Sequence, residues 1–263
     1  MKSILVTGAY GGMGRAACRL LRDMGYTVFA LDKRISEAEE GIIPIQADIT
    51  SEDSIKKAFA YVVETTQDLR AILHFAGMYM LDSLVEMSDN EFSTIFDVNL
   101  RGAFLINKTF LPMLGNGSRI LIVTSELAPL DPLPFTGIYA VTKAALDKYA
   151  YSLRMELQLL GITVSVLRAG AVKTQMLGVS TDALDKFCNK TELYSCNAER
   201  FKRIVGSVEA RNIPPQKIAQ KAVRIIKKKN PRFAYSINRN PLLLLLNALP
   251  KRLQLFAIKM ILK

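Results

Sequence analysis

Short apolar runs rich in strand-forming residues recur along the chain at 3–7 (SILVT), 27–31 (TVFAL), 42–46 (IIPIQ), 71–75 (AILHF), 119–124 (RILIVT), 162–168 (ITVSVLR) and 232–236 (RFAYS). They predict seven strands. Between them, helical stretches are expected near 13–24, 51–64, 88–113, 137–160 and 214–229, and the polar groups TSED (50–53) and SDNE (88–91) read as capping signals for two of them. Strands alternating with helices imply crossover connections and a parallel sheet. Residues 171–212 break the rhythm with mixed polarity and no clean period, which predicts a long functional loop. No internal repeat or low-complexity tract is visible.

Composition narrows the class. At 263 residues, half of them hydrophobic, the chain can bury a substantial core as one large α/β domain. Cys18, Cys188 and Cys196 lack CxxC spacing and there is a single histidine, which argues against a disulfide framework or a zinc site and for a reducing, cytoplasmic setting. The opening MKSILVTGAYGGMG runs straight into a strand and a glycine turn, so no signal peptide is expected. Charge is uneven: residues 201–263 hold 15 Lys/Arg and one acid, Glu209, a net +14, and the remaining 20 basic and 23 acidic residues give −3 for residues 1–200. A basic segment of this kind fits nucleic acid, an anionic membrane surface or a solvated face.

The chemistry begins at TGAYGGMG, residues 7–14, which follows the first strand and opens a helix. Gly8, Gly12 and Gly14 permit positive φ and let the backbone approach a pyrophosphate seated on the helix N-terminus. About twenty residues on, the second strand ends at Asp32, where an acidic side chain binds the adenosine ribose hydroxyls. Asp32 points to NAD, while Lys33 and Arg34 beside it suit a 2′-phosphate and keep NADP open.

These motifs, with six more in order over about 230 residues, resemble the short-chain dehydrogenase/reductase family, with hydroxysteroid and retinol dehydrogenases as the nearest kind. Thr7, Gly8, Gly12, Met13 and Gly14 match its TGxxxGxG turn. ADIT (47–50) resembles the adenine-side segment and gives Asp48 and Ile49 that role; HFAG (74–77) resembles the NNAG motif and includes Ala76 and Gly77. DVNLRG (97–102) carries the family's asparagine as Asn99, IVTS (122–125) ends on its serine as Ser125, and YAVTK (139–143) is the YxxxK signature. RAGAVKT (168–174) resembles the PGxxxT segment around the nicotinamide, with Val172 and Thr174. The resemblance implies an α/β, single-domain Rossmann fold with a doubly wound seven-stranded parallel sheet and helices on both faces. It also implies a nicotinamide cofactor, NAD with NADP possible, no metal, and a homodimer or homotetramer. Residues 1–238 are expected to form the catalytic domain, with a substrate lid at 171–212, and 239–263 a basic, apolar helical tail.

Three positions depart from the pattern. His74 and Phe75 replace two asparagines, and His74 is expected to be a packed, hydrogen-bonded core residue. Ala169 replaces a proline, which should loosen the following turn. Ser125 lies fourteen positions before Tyr139 where thirteen is commoner, which leaves Glu126 at that spacing. A carboxylate cannot donate to a carbonyl as a hydroxyl does, so Ser125 keeps the role.

A ketone reduced by hydride needs a proton for the forming alkoxide, and the reverse needs a base. Tyr139 can do both. Lys143, one turn on, is expected to lower the phenol pKa from its ordinary value near 10. By resemblance Lys143 also holds the nicotinamide ribose, Asn99 holds a relay water, and Ser125 orients the substrate oxygen. Apolar residues in the insertion (Met176, Leu177, Val179, Leu184, Phe187, Leu193, Tyr194) and in 126–137 (Leu127, Leu130, Leu133, Phe135) suit a steroid-, retinoid- or fatty-like alcohol or ketone, and fit lid packing equally. The alternative is a non-enzymatic NAD(H)-binding regulator on the same fold, which the intact Asn99, Ser125, Tyr139 and Lys143 set opposes. Nucleic-acid binding lacks a stacking platform or reading motif, so no nucleic-acid partner is expected. The tail at 239–263 fits two readings: a helix lying in a membrane interface, giving peripheral attachment, or packing on the protein or a neighbouring subunit.

Overall fold

The structure, a computed structural model, describes residues 2–36, 39–209 and 212–263, with only the backbone described at 175–182 and 205–209. The side chains of Met176, Leu177 and Val179 therefore lie outside the described part. Strands β1 (Ser3–Thr7), β2 (Thr27–Asp32), β3 (Ile42–Gln46), β4 (Ala71–His74), β5 (Arg119–Ser125), β6 (Thr163–Ala169) and β7 (Ala234–Ile237) form one sheet in the order β3-β2-β1-β4-β5-β6-β7. Neighbours run parallel throughout. The central strands β1, β4 and β5 are buried along their whole length, as a sheet covered on both faces requires.

Helices α1 (Gly12–Asp23) and α8 (Pro215–Ile226) cover one face through Ala17, Leu21, Ile218 and Ala222. On the other face, α2 (Glu52–Thr65), α4 (Gly102–Phe110) and α5 (Gly137–Leu157) contribute Ile55, Val62, Ile106, Phe110, Leu146 and Ala150. The expected caps form: Ser51 accepts from the Ser54 N–H, and Ser88 and Glu91 complete a capping box at the start of α3 (Asp89–Phe96). Between β1 and β4 the strand order reverses, opening a crevice at the carboxyl ends of the strands.

Three expectations are corrected. The stretch 88–113 is not one regular helix: a π-helical turn, Asp97–Arg101, separates α3 from α4, with the Gly102 N–H bonded to the Asp97 carbonyl. The stretch 171–212 is not irregular but folds into α6 (Gln175–Lys190) and α7 (Ser195–Glu209). Leu184 and Phe187 on one, and Ala198 and Phe201 on the other, fall at i,i+3 and close around Phe135, whose ring lies 4.5 Å from Phe187 and 5.1 Å from Phe201. The sequence hides this because the partner ring comes from a distant loop. The turn after Ala169 is not loose either. Gly170 and Lys173 donate to the Ile237 and Ile213 carbonyls, and Asn238 Nδ2 donates to the Ala171 carbonyl at 2.8 Å.

The tail forms α9 (Pro241–Ala248) and α10 (Lys251–Leu262), broken at Pro250. Both dock on the protein. The Asn240 N–H donates to Glu126 Oε2 at 2.6 Å, Asn247 Oδ1 accepts from the Asp131 N–H at 2.7 Å, Lys251 pairs with Asp131, and Asn197 Nδ2 donates to the Leu262 carbonyl at 2.7 Å. Among the described residues, no helix is long and apolar enough to cross a membrane.

A pair that spacing could not suggest fixes α5 to the sheet. Arg168 of β6 reaches Asp147 of α5 with Nε at 3.0 Å and Nη2 at 2.6 Å, and Thr124 of β5 adds a bond to the same carboxylate at 3.3 Å. Asp147 is buried, so Asp147→Ala strands a guanidinium without its carboxylate. The expected loss is about 3 kcal/mol in urea denaturation. A loss near zero would assign the pair to the solvated surface.

Candidate active site

The carboxyl ends of β1, β4, β5 and β6 bring the predicted residues to one place, and the glycines show how tightly. Gly8 has φ +66°, and a Cβ there would stand 2.5 Å from the Ala76 N; a Cβ on Gly14 would stand 2.1 Å from the Gly8 carbonyl oxygen. Only glycine fits either position. Gly12 faces Thr174, whose Cγ2 would lie 2.8 Å from an added Cβ, so the first turn and the segment after β6 touch. Met13, in the first turn of α1, packs against the core, and Val172 is buried and bridges Ile213. Thr7 is fully buried at the end of β1 with its hydroxyl unpartnered among the described atoms. A glycine cradle beside an orphaned hydroxyl fits a phosphate-bearing dinucleotide.

At the far end of the crevice, Asp32 accepts from the Tyr10 N–H at 2.9 Å and the Arg34 N–H at 3.3 Å. Lys33 turns to Asp48, Nζ to Oδ2 2.8 Å, and with Thr50 holds that carboxyl down at about 2. Ile49 lies against Gly102, where a Cβ would come within 2.7 Å of its Cδ1. Lys33 is thus engaged with Asp48 rather than turned to a 2′-phosphate.

Tyr139 and Lys143 occupy the first turns of α5. Tyr139 stands near Ser125 at the end of β5, whose hydroxyl opposes the rise in its phenol pKa, and Ser125 Oγ accepts from the Leu127 N–H at 3.2 Å. Lys143 is buried with Nζ 5.8 Å from the Tyr139 ring centroid. A Cβ on Gly77 would lie 3.1 Å from Lys143 Nζ and 3.2 Å from Asn99 Oδ1, which puts the ammonium and the amide together over one glycine. Asn99 sits in the π-helical turn, accepting from the Met78 N–H at 2.8 Å and donating to the Met78 carbonyl and Thr142 Oγ1, each at 3.0 Å. π-turns of this kind recur at functional sites.

Burial dominates the electrostatics. It pushes the Tyr139 phenol up to about 12, against the opposing hydrogen bond from Ser125, and pushes Lys143 down to about 8. The expected lowering of Tyr139 by Lys143 is not seen among the protein's own groups: burial sets the direction and only Ser125 opposes it. His74 is the packed histidine expected, bonded to Asn107 Oδ1 at 2.9 Å and pushed by burial down to about 4. Glu126 turns away from Tyr139; burial raises its pKa while it accepts from Asn240.

Two residues escaped sequence reasoning. Tyr79 packs against Tyr139 at a tilt, centroids 4.9 Å apart and planes 59° from parallel, and also packs against the lid cluster. Thr142 fixes the Asn99 amide. Neither carried a signal beyond its place beside a motif. Phe135, Leu184 and Phe187 are buried in the lid's own core, and Leu193 is 68% exposed, so these face one another or solvent more than an open pocket. A cleft of about 640 Å³ lies between Tyr79–Asp82 and α6, lined also by Phe187 and Lys190. Among the described residues no group of acids, cysteines or histidine could hold a metal.

The family model for short chain dehydrogenases matches residues 2–185. Estradiol 17-beta-dehydrogenase 2 from Mus musculus is 36% identical over 199 residues, covering 70% of this chain and 51% of the relative. The chain thus spans about half the length of the curated relatives it matches first. Among solved structures, a short chain dehydrogenase family protein from Francisella tularensis superposes with TM-score 0.75 at 22% identity, over 90% of this chain and 97% of its own. A 3-ketoacyl-(acyl-carrier-protein) reductase from Brucella melitensis complexed with NADH gives 0.73 at 20% identity, over 90% and 96%. The match over 2–185 covers the glycine turn, the π-turn asparagine, the serine and the Tyr–Lys helix alike, and on that ground the chain belongs to the short chain dehydrogenase family.

Proposed function

We propose that the chain is an NAD(P)-dependent oxidoreductase that interconverts a secondary alcohol and a ketone on an apolar substrate, with NAD preferred. The observation that supports it most is the gathering of Tyr139, Ser125, Lys143 and Asn99, with the Lys143 ammonium and the Asn99 amide both against Gly77. Bound nicotinamide cofactor supplies or accepts the hydride. Thr7, Gly8, Gly12 and Gly14 would take its pyrophosphate side, Asp32 the adenosine ribose, Asp48 and Ile49 the adenine, and Lys143 with Val172 and Thr174 the nicotinamide side. Tyr139, a neutral phenol at ordinary pH, is primed to donate its proton to a forming alkoxide; Ser125 orients the oxygen. In the oxidising direction the Tyr139 phenolate, formed by loss of the phenol proton to solvent, would take the proton of the substrate alcohol and return to the phenol. The gathering of the four residues speaks against a regulator without activity.

An apolar substrate is supported by Tyr79, which borders the cleft under α6 and touches the Tyr139 ring, by Leu81 and Phe187 in the same cleft, and by the estradiol dehydrogenase relative, which by its name acts on estradiol. Association as a homodimer or homotetramer belongs to the same proposal. The deciding experiment is a panel of apolar alcohols and ketones with NAD(H) and NADP(H), followed at the nicotinamide absorbance band. No turnover with any of them would overturn the proposal.

Cofactor choice has its own test. Asp32 repels a 2′-phosphate, so Asp32→Ser should move the kcat/KM ratio toward NADP by about tenfold, or ~1.4 kcal/mol. A wild-type protein that already prefers NADPH would contradict it.

A further inference from the structure

We propose that the outer face of α9 and α10 is a docking surface for an anionic lipid membrane. The proposal stands independently of catalysis. It starts from an inversion in α10: the residue it buries is Gln254, 4% exposed, while Leu253, Phe256 and Met260 are 55%, 62% and 60% exposed. These three fall at i, i+3 and i+7 and share one face of the helix. A helix present only to pack on the protein would turn that stripe inward and Gln254 outward. On α9, Leu242 and Leu245 repeat the pattern, each more than 60% exposed.

The inner side shows why the inversion holds. α9 and α10 are held by polar ties at Glu126–Asn240, Asp131–Asn247, Asp131–Lys251 and Asn197–Leu262, with Leu262 packed into the lid cluster. The apolar stripe is therefore displayed on a fixed support rather than on a loose tail. Contiguous exposed apolar surface of this kind marks an interaction site.

Charge selects the occupant. Residues 239–263 contain Arg239, Lys251, Arg252, Lys259 and Lys263 and no acid. Apolar residues flanked by cations suit a helix lying in an interface, with the stripe among acyl chains and the cations at anionic head groups. Neither helix is long enough to span, since a crossing takes about 20 apolar residues. A second copy on this face would set five cations against five without an acid between them in the segment. Nucleic acid would satisfy the cations and leave the stripe in water.

The test uses the full-length chain with phosphatidylserine/phosphatidylcholine vesicles and with phosphatidylcholine vesicles alone, at low and high salt, followed by sedimentation. Wild type should pellet with the anionic vesicles at low salt, at least tenfold less with neutral ones, and less at high salt. Leu253→Ser/Phe256→Ser/Met260→Ser should lower the bound fraction tenfold or more. Arg252→Glu/Lys259→Glu/Lys263→Glu should lower partitioning on the order of a hundredfold, at about fivefold for each cation removed and more for reversal. All substituted side chains are exposed, and circular dichroism checks that both variants keep the fold. Wild type left in the supernatant at low salt, or variants that bind as it does, would overturn the proposal. So would a vesicle-free dimer that the triple serine variant dissociates in analytical ultracentrifugation, because the face would then be covered by a second copy.

Discussion

Tyr139→Phe should leave the fold and dinucleotide binding unchanged while turnover falls on the order of a hundredfold or more, the scale of a positioned acid/base. The substitution removes one oxygen, and with it the proton that would pass to the alkoxide. The ring stays, so its contacts with Tyr79 and the Lys143 ammonium survive. Dinucleotide binding by fluorescence, alongside steady-state kinetics, separates the two effects. Turnover within a few-fold of wild type would remove Tyr139 from the chemistry. The pH profile adds a check: with the phenol pushed up to about 12, reduction should show no loss attributable to Tyr139 across neutral and mildly alkaline pH.

Lys143→Met should move stability and activity in opposite directions. Lys143 is buried, and its folded pKa of about 8 lies below the ordinary 10.5. Between those values the unfolded chain binds more protons than the folded one, so stability from this group rises as pH climbs from about 8 toward 10.5. Below 8 the whole penalty is present, about 3 kcal/mol at 1.36 kcal/mol per pKa unit. Methionine carries no such charge. At pH 7 the variant should therefore resist urea better than wild type by about 1–3 kcal/mol, with the gap closing toward pH 10. Above pH 10 the raised Tyr139 pKa acts the other way in both proteins. The same variant should bind NAD more weakly and turn over far more slowly. A variant less stable than wild type at pH 7 would show that the ammonium gains more from its neighbours than it loses by burial.

Most of the fold could be read from the chain because the strands are buried on both faces and appear as unbroken apolar runs. β1, β2 and β3 fall within one residue of their expected limits; β7 lies nearer the sheet edge, is less buried, and starts later than its run suggested. The glycine turn was legible for a steric reason, since Gly8 and Gly14 tolerate no other side chain. What escaped was set by residues far apart in sequence. The lid helices needed Phe135 to make sense of four scattered apolar positions, and the Asp147–Arg168 pair joins residues 21 apart. Tyr79 sits among MYMLDS, where nothing local announces a ring laid on Tyr139. The bond that Glu126 accepts from the Asn240 backbone has no trace in the run ELAPLDPLPFTG.

The π-helical turn bears on how this site can be altered. In Asp97–Arg101 the ladder closes over five residues rather than four, so the helix there holds one residue more than a regular α-turn. That surplus lets Asn99 address Met78 and Thr142 while Ile95 before it stays buried and Ile106 after it stays in the core beside the sheet. Substitution changes what a position carries, but only a deletion changes how many positions there are. A shortened chain lacking one residue between 97 and 101 would restore an even helical register and swing α4 about its axis relative to α3. Loss of a single residue within those five would thus misalign either the Asn99 amide or the core.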